Sequence, residues 1–250
     1  MLNIPGICGL GLNFTVSGFR IVYCVLAAIA WIAAGLYSIE YLKNCTDKKR
    51  YHFFTILTFI ATEGIFLSAD FYTLFIFFEI MSLASYVWVA FDEKKSSLSA
   101  ADTYMAVAVI GGLVMLMGLF LVYSVTGTLM FTELKGAYFE YGMTAEGPAA
   151  LNRLWAGGLC MLFGFFCKIG AVPLHIWLPN SYPAAPAPAT ALLSGILTKA
   201  GMFGVLLLCF SIFADNEVFG VLILISGVIT MFIGAFLALF WVNLKRTLAC

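Results

Sequence analysis

Charged residues are scarce in this sequence. Of its 250 residues, 10% are charged and 63% are hydrophobic, whereas a soluble domain carries roughly 25% charged residues. A helix that crosses a bilayer needs about 20 mostly apolar residues, so the composition predicts a polytopic membrane protein. The formal net charge is zero, so the chain has no net basic field for a nucleic acid.

Metal and redox motifs are also missing. The seven cysteines are odd in number and show no C-x-x-C spacing. Several lie in apolar runs, where cysteine behaves as a small hydrophobic residue. We therefore expect no disulfide framework, no zinc or iron–sulfur site and no cofactor. The first 19 residues contain no basic segment of the kind that begins a cleavable signal peptide.

Seven apolar runs predict seven membrane spans. They cover residues 20–41, 52–69, 71–91, 101–125, 154–172, 189–213 and 218–241. Basic groups follow the first, third and seventh runs, namely Lys43 with Lys48, Lys49 and Arg50, then Lys94 with Lys95, then Lys245 with Arg246. The positive-inside rule predicts that these loops are cytoplasmic and that the N-terminus lies outside the plasma membrane.

Four ionisable side chains lie inside the predicted spans. With a rise of ~1.5 Å per residue, Glu63 lies ~10–13 Å from the outer boundary, Glu79 ~12 Å, Lys199 ~15 Å and Lys168 ~21 Å. Each such charge costs about 2.5–3.5 kcal/mol to insert. We expect the four to cluster near the midplane as a proton pathway. The alternative is static ion pairs that join helices, and for Glu63 only its depth favours a role.

A proline-rich stretch directly follows Lys168. Five of the seven prolines fall between residues 173 and 188, among them Pro173, Pro179 and Pro183. Proline breaks a helix interior, and broken backbone at membrane depth is tolerated only inside protein or beside a water-filled cavity. The pattern predicts a discontinuous helix, broken at about 171–188. The alternative is a loop outside the membrane, with Lys168 extending its ammonium group to the surface.

A single histidine lies within this predicted break. His175 is suited to relaying a proton, because histidine titrates near neutral pH. It is equally suited to satisfying a backbone carbonyl that the break has freed. The sequence alone leaves both roles open.

Three stretches resemble the antiporter-like subunits of respiratory complex I, of Mrp cation/proton antiporters and of membrane-bound hydrogenases. Residues 71–86, with Glu79, resemble the fifth helix of this family. Residues 168–188 resemble its broken seventh helix, with the motif K-x-G-x-x-P-L-H-x-W-L-P followed by A-P-x-P. Residues 191–201, with Lys199, resemble its eighth helix.

The resemblance implies an all-α integral membrane fold of about seven transmembrane helices, one of them discontinuous. Residues 1–51 would form an N-terminal helix and a basic cytoplasmic loop. Residues 52–213 would form one five-helix unit of an inverted-repeat transporter fold, and residues 214–250 the first helix of a second, incomplete unit. Family members contain two such units, so we expect either a partial chain or a partner polypeptide that supplies the rest.

The resemblance also implies a function. Glu79 matches the family's essential glutamate, Lys168 the lysine that it pairs with, and Lys199 the next group of a relay for protons and possibly sodium ions. The implied partners are other membrane subunits and the lipid bilayer. No redox chemistry of its own is expected. A non-conducting structural or assembly subunit is the alternative, whereas a seven-helix receptor would need neither the break nor the lysines.

Overall fold

A computed structural model describes residues 2–5, 10–45, 47–138, 147–214 and 216–250. The longest apolar runs of the sequence all form helices. The first four helices are α1 (Gly18–Tyr41), α2 (Lys48–Leu67), α3 (Phe71–Val89) and α4 (Lys95–Thr126). Two of these helices have identifiable caps. At the start of α3 the Asp70 side chain accepts a hydrogen bond from Thr73 N. Gly127 ends α4 in the left-handed region, with φ 67°.

The second half of the chain contains the interrupted helices. In order they are α5 (Gly147–Ile169), a 3₁₀ turn (Leu174–Trp177), α6 (Leu178–Ala184), α7 (Ala187–Leu192), a π turn (Leu193–Leu197), α8 (Thr198–Ser211), α9 (Glu217–Ala238) and α10 (Leu244–Ala249). The predicted break is therefore confirmed, but it is not a continuous loop. Residues 178–184 form a short helix inside it, because Pro179 lies in the first turn of that helix, where no backbone donor is needed.

Six segments in the described part of the chain are long and apolar enough to cross a membrane. They are Gly18–Tyr41, Phe71–Val89, Lys95–Thr126, Gly147–Ala184, Ala187–Ser211 and Glu217–Ala238. The remaining predicted span, residues 52–69, is also helical and lies mostly in the 20-residue α2. The first three residues of α2 are basic and Glu63 lies inside it, which makes it more polar than the other six. The chain is a multi-pass membrane protein.

Helices α4 and α5 approach each other closely along small residues. A Cβ atom placed on Gly118 would lie 2.6 Å from the carbonyl oxygen of Gly157, and one placed on Gly111 would lie 2.7 Å from Cβ of Cys167. Small residues of this kind allow membrane helices to pack backbone against backbone. This contact fixes the end of α5, which carries Lys168, against α4.

The two ends of the bundle differ. At one end, the N-terminal strands β1 (Leu2–Ile4) and β2 (Leu12–Phe14) form a short antiparallel hairpin that the all-α prediction missed. Asn13 Nδ2 lies 2.7 Å from Asp70 Oδ2 and ties this hairpin to the start of α3. At the other end, Arg50 pairs with Glu93, and Lys245 interacts electrostatically with Asp92. The three predicted basic groups therefore share one end.

Candidate functional site

Lys168 lies in the last turn of α5 and is 3% exposed. Its ammonium group donates hydrogen bonds to Ser82 Oγ at 3.0 Å and to the Tyr104 hydroxyl at 2.7 Å. It also lies 5.1 Å from the ring centroid of Tyr104 and 5.9 Å from that of Phe78. Two oxygen acceptors and two aromatic faces thus solvate a charge that is withdrawn from water. The alternative in which Lys168 extends to the surface is wrong.

A chain of hydroxyl groups continues from Lys168. The Tyr104 hydroxyl lies 2.6 Å from Ser85 Oγ, and either oxygen can donate in that hydrogen bond. Both serines are on α3, one helical turn apart, and both are buried. We missed these residues in the sequence because single serines and tyrosines are common in apolar spans. The available signal was Ser82, three residues after Glu79 and so on the same helix face.

Glu79 lies on α3 beside this cluster. Its carboxylate packs against Gly112 of α4, where an added Cβ atom would lie 2.3 Å from Oε1. Oε1 is buried and has no hydrogen-bond partner among the described residues. The carboxylate interacts electrostatically with Lys168, but the two do not form an ion pair. The three ion pairs among the described residues, Lys43–Glu40, Arg50–Glu93 and Lys94–Asp92, involve exposed or partly exposed side chains at the helix ends.

A small cavity of about 10 Å³ adjoins the lysine. Phe78, Ser82, Tyr104, Gly164 and Trp177 are among the residues that line it, together with Lys168. A volume of about 10–15 Å³ is the least that holds one water molecule. The site therefore combines a buried base, a nearby unpaired carboxylate, three hydroxyl groups and room for a single water.

The helix break next to Lys168 has its freed backbone groups satisfied by side chains. Gly170 ends α5 with φ 79°, and Trp177 Nε1 donates to the Cys167 carbonyl at 2.8 Å. Val172 N donates to Thr230 Oγ1 of α9 at 3.1 Å, and Lys245 Nζ of α10 donates to the Ala185 carbonyl at 2.8 Å. Both ends of the break are thus held by the last two helices.

Lys199 and His175 lie on another side of the break. They line a cavity of about 260 Å³ together with Tyr182, Ser194 and Thr230, among others. Lys199 is exposed on the surface of the chain, and its Nζ donates to the Ser194 carbonyl at 2.8 Å. The expectation that Lys199 clusters with Lys168 is wrong, because Lys168 is buried beside one cavity whereas Lys199 is exposed at another. His175 is half-buried, and its Nδ1 has no hydrogen-bond partner among the described residues.

Glu63 is also separate from the Lys168 cluster. It lies on the face of α2 that packs against α1, where its carboxyl group lies next to the thiol of Cys24. Its second oxygen, Oε1, is buried without a partner among the described residues. The expected cluster of four charges therefore divides into three places, with Glu79 and Lys168 together and Glu63 and Lys199 each apart.

Comparison with known proteins assigns the chain to a family. Residues 68–250 match the family model described as NADH:quinone oxidoreductase/Mrp antiporter, TM. The chain belongs to this family. The predicted resemblance is confirmed, and the match to this antiporter family includes Glu79, Lys168, His175 and Lys199. Glu63 lies outside it.

Curated relatives within the family belong to different complexes. The chain is 30% identical to a Na(+)/H(+) antiporter subunit of Alkalihalophilus pseudofirmus, over 92% of this chain and 46% of that protein. It is 30% identical to an NADH-quinone oxidoreductase subunit of Desulforamulus reducens, over 94% of this chain and 49% of that protein. The chain therefore spans less than half the length of these relatives.

A solved structure has the same arrangement of helices. A chain of the membrane-bound sulfane sulfur reductase, an archaeal respiratory membrane complex, superposes with a TM-score of 0.84 and 25% sequence identity. The match covers 99% of this chain and 40% of that one. The antiporter-like fold is thus supported by sequence and by structure.

Proposed function

We propose that this chain translocates protons across the plasma membrane as an antiporter-like subunit of a larger membrane complex, with its basic end in the cytoplasm and its N-terminus outside. Residues 52–213 form the conducting unit, and residues 214–250 begin a second one. The observation that carries the proposal is the burial of Lys168, 3% exposed, beside hydroxyl groups and near a carboxylate with which it is not paired. If Lys168 and Glu79 served only to join helices, they would form an ion pair in direct contact.

The proton is held by Lys168 and controlled by Glu79. A charge pair at ~4 Å gains about 4 kcal/mol at an effective dielectric constant of 20. Movement of the Glu79 carboxylate into contact therefore stabilises the charged lysine, and its withdrawal favours release of the proton. The one-water cavity beside Lys168 gives the released proton a carrier. Lys199 and His175, which share the larger cavity, form the next stage, and sodium is the alternative ion at that stage.

Glu63 belongs to this proposal only as a side branch. Its carboxyl group is half-buried between α1 and α2 and contacts Cys24 rather than Lys168 or Glu79. A proton on Glu63 would reach the relay only through other groups. Its replacement by glutamine is therefore expected to lower proton flux far less than changes at Glu79.

The test replaces the two central charges. In Lys168→Ala and Glu79→Ala, proton flux through everted membrane vesicles that contain the assembled complex should fall to background, because the relay loses its proton carrier or the group that controls it. The matched controls are Lys43→Ala and Glu40→Ala, an exposed pair at a helix end, which should keep flux near the wild-type level. Normal flux in Lys168→Ala, at normal protein levels, would show that the chain is instead a structural subunit.

A further inference from the structure

The proposed relay contains a gap between Lys168 and the cavity that holds His175 and Lys199. In the described part of the chain, the hydrogen bonds of Lys168 Nζ go to Ser82 and Tyr104. None goes to a residue of that cavity. A proton that leaves Lys168 toward Lys199 therefore needs a carrier that the sequence motifs do not supply.

Two tyrosines lie across this gap. Tyr104 on α4 is 1% exposed and hydrogen-bonds Lys168 directly. Tyr182 on α6 is 4% exposed and lines the cavity of His175 and Lys199. Tyr104 and Tyr182 lie close enough for a charge on one phenol to affect the other. One phenol thus touches the first lysine, and the other reaches the cavity of the second.

The ring of Trp177 packs against both tyrosines. The Trp177 ring centroid lies 4.9 Å from that of Tyr104 and 6.4 Å from that of Tyr182. Trp177 is itself fixed by its hydrogen bond to the Cys167 carbonyl, one residue before Lys168. The same indole therefore positions both phenols relative to the end of α5.

We propose that the hydroxyl groups of Tyr104 and Tyr182 carry the proton between Lys168 and the cavity of His175 and Lys199. This inference rests on the proposed function and names a route within it. A neutral tyrosine both donates and accepts a hydrogen bond, whereas a charged lysine only donates. Phenols are therefore suited to link two lysines.

The transfer conserves protons and leaves both tyrosines neutral. An N–H bond of charged Lys168 breaks as the Tyr104 oxygen gains that proton, and Tyr104 passes its own hydroxyl proton to Tyr182, directly or through one water. Tyr182 then gives its original proton to water in the cavity, and neutral Lys199 receives it. When Ser85 Oγ is the acceptor in its hydrogen bond with Tyr104, it orients the Tyr104 hydroxyl proton between transfers.

The test removes each hydroxyl and keeps each ring. Tyr104→Phe, Tyr182→Phe and the double variant are compared with Tyr123→Phe, a control on the same helix as Tyr104 whose side chain is 40% exposed. Proton flux is measured in everted vesicles that contain the assembled complex, with protein levels checked in each membrane. Each single variant should lose at least about tenfold in flux, and the control should match the wild type.

The double variant separates a relay from a packing effect. Two groups in series interrupt the same path, so the double variant should lose no more than the worse single variant. Independent packing defects would instead multiply their losses. Multiplied losses, or single variants within about twofold of wild type, would overturn the inference while Lys168→Ala still abolishes flux. If Lys168→Ala itself conducts normally, the proposed function fails and the tyrosine route fails with it.

Discussion

Lys168 and Lys199 are both lysines in apolar helices, yet their surroundings differ. Lys168 is enclosed by α3, α4 and α5, and both of its acceptors are side-chain hydroxyl groups from other helices. Lys199 is exposed at the rim of a cavity, and its closest acceptor is the Ser194 backbone carbonyl in the π turn directly before α8. The first lysine depends on the tertiary structure for its solvation, whereas the second is solvated locally.

This difference predicts where proton flux is sensitive to small substitutions. Around Lys168 the packing is tight enough that a methyl group added at Gly112 collides with Glu79. Around Lys199 the backbone has free space on its outer side, at Gly195. Matched substitutions in the two regions should therefore have unequal effects.

The largest difference is expected between two glycine substitutions. In Gly112→Ala the new Cβ would lie 2.3 Å from Glu79 Oε1, so the carboxylate must move away from its position near Lys168. We expect proton flux in vesicles to fall by about 10–100-fold, because small displacements of a catalytic group cost that much. In Gly195→Ala the new Cβ meets no atom within 4 Å, and flux should be unchanged.

Equal flux in the two alanine variants would break the comparison. Alanine favours a helix over glycine by about 1 kcal/mol, so neither variant is expected to lower the amount of protein in the membrane. The membrane level of each variant, measured alongside the flux, would show whether a loss in Gly112→Ala reflects the displaced carboxylate or a failure to insert.

The next difference concerns stability at two serines. Ser82→Ala removes one of the two acceptors of the buried Lys168 ammonium, and a buried donor left unsatisfied costs about 1–3 kcal/mol. Ser194→Ala keeps the backbone carbonyl that Lys199 uses, so its cost should stay within about 0.5 kcal/mol. Denaturant unfolding of the purified variants in detergent measures both. A cost at Ser194 equal to that at Ser82 would contradict the idea that only Lys168 needs tertiary solvation.

The smallest effect is expected at a third lysine, outside the spans. Burial lowers the pKa of Lys245, and the nearby Asp92 partly opposes this shift. Between the lowered pKa and the ordinary value of 10.5, the unfolded chain binds more protons than the folded one, so stability should rise with pH across that interval. Lys245→Gln removes this titration. Its melting temperature in detergent should depend less on pH from neutral to alkaline conditions than that of the wild type, and an identical dependence would contradict the prediction.

Much of the fold could be predicted from the sequence because the membrane imposes it. Apolar runs of about 20 residues must become helices, since an open chain in lipid has no other way to satisfy its backbone. The break after Lys168 could be placed because proline stops a helix. What the proline pattern could not show is α6 inside the break, because Pro179 also fits the first turn of a new helix. The N-terminal hairpin was missed because its strands are only three residues long.

Much less of the site could be predicted, and the reason is geometric. Depth along a helix follows from residue number, so Glu79, Lys168, Lys199 and Glu63 could be recognised as unusual. Depth does not fix the direction in which a side chain points. The packing of α4 against α5 places Lys168 beside Tyr104. Glu63 instead lies next to Cys24 of α1, and Lys199 lies at a separate cavity.

The sequence by itself determined that this is a multi-pass membrane protein of the antiporter-like family, with a helix that prolines interrupt directly after Lys168. Composition and proline placement are local properties, and the energetic cost of unpaired backbone in lipid makes them decisive. Only the tertiary structure decided which hydroxyl groups surround Lys168, that Glu79 stays near it without contact, and that the C-terminal helices hold both ends of the break. Those outcomes depend on which helix faces pack against each other. That packing is set by residues that lie far apart in the chain.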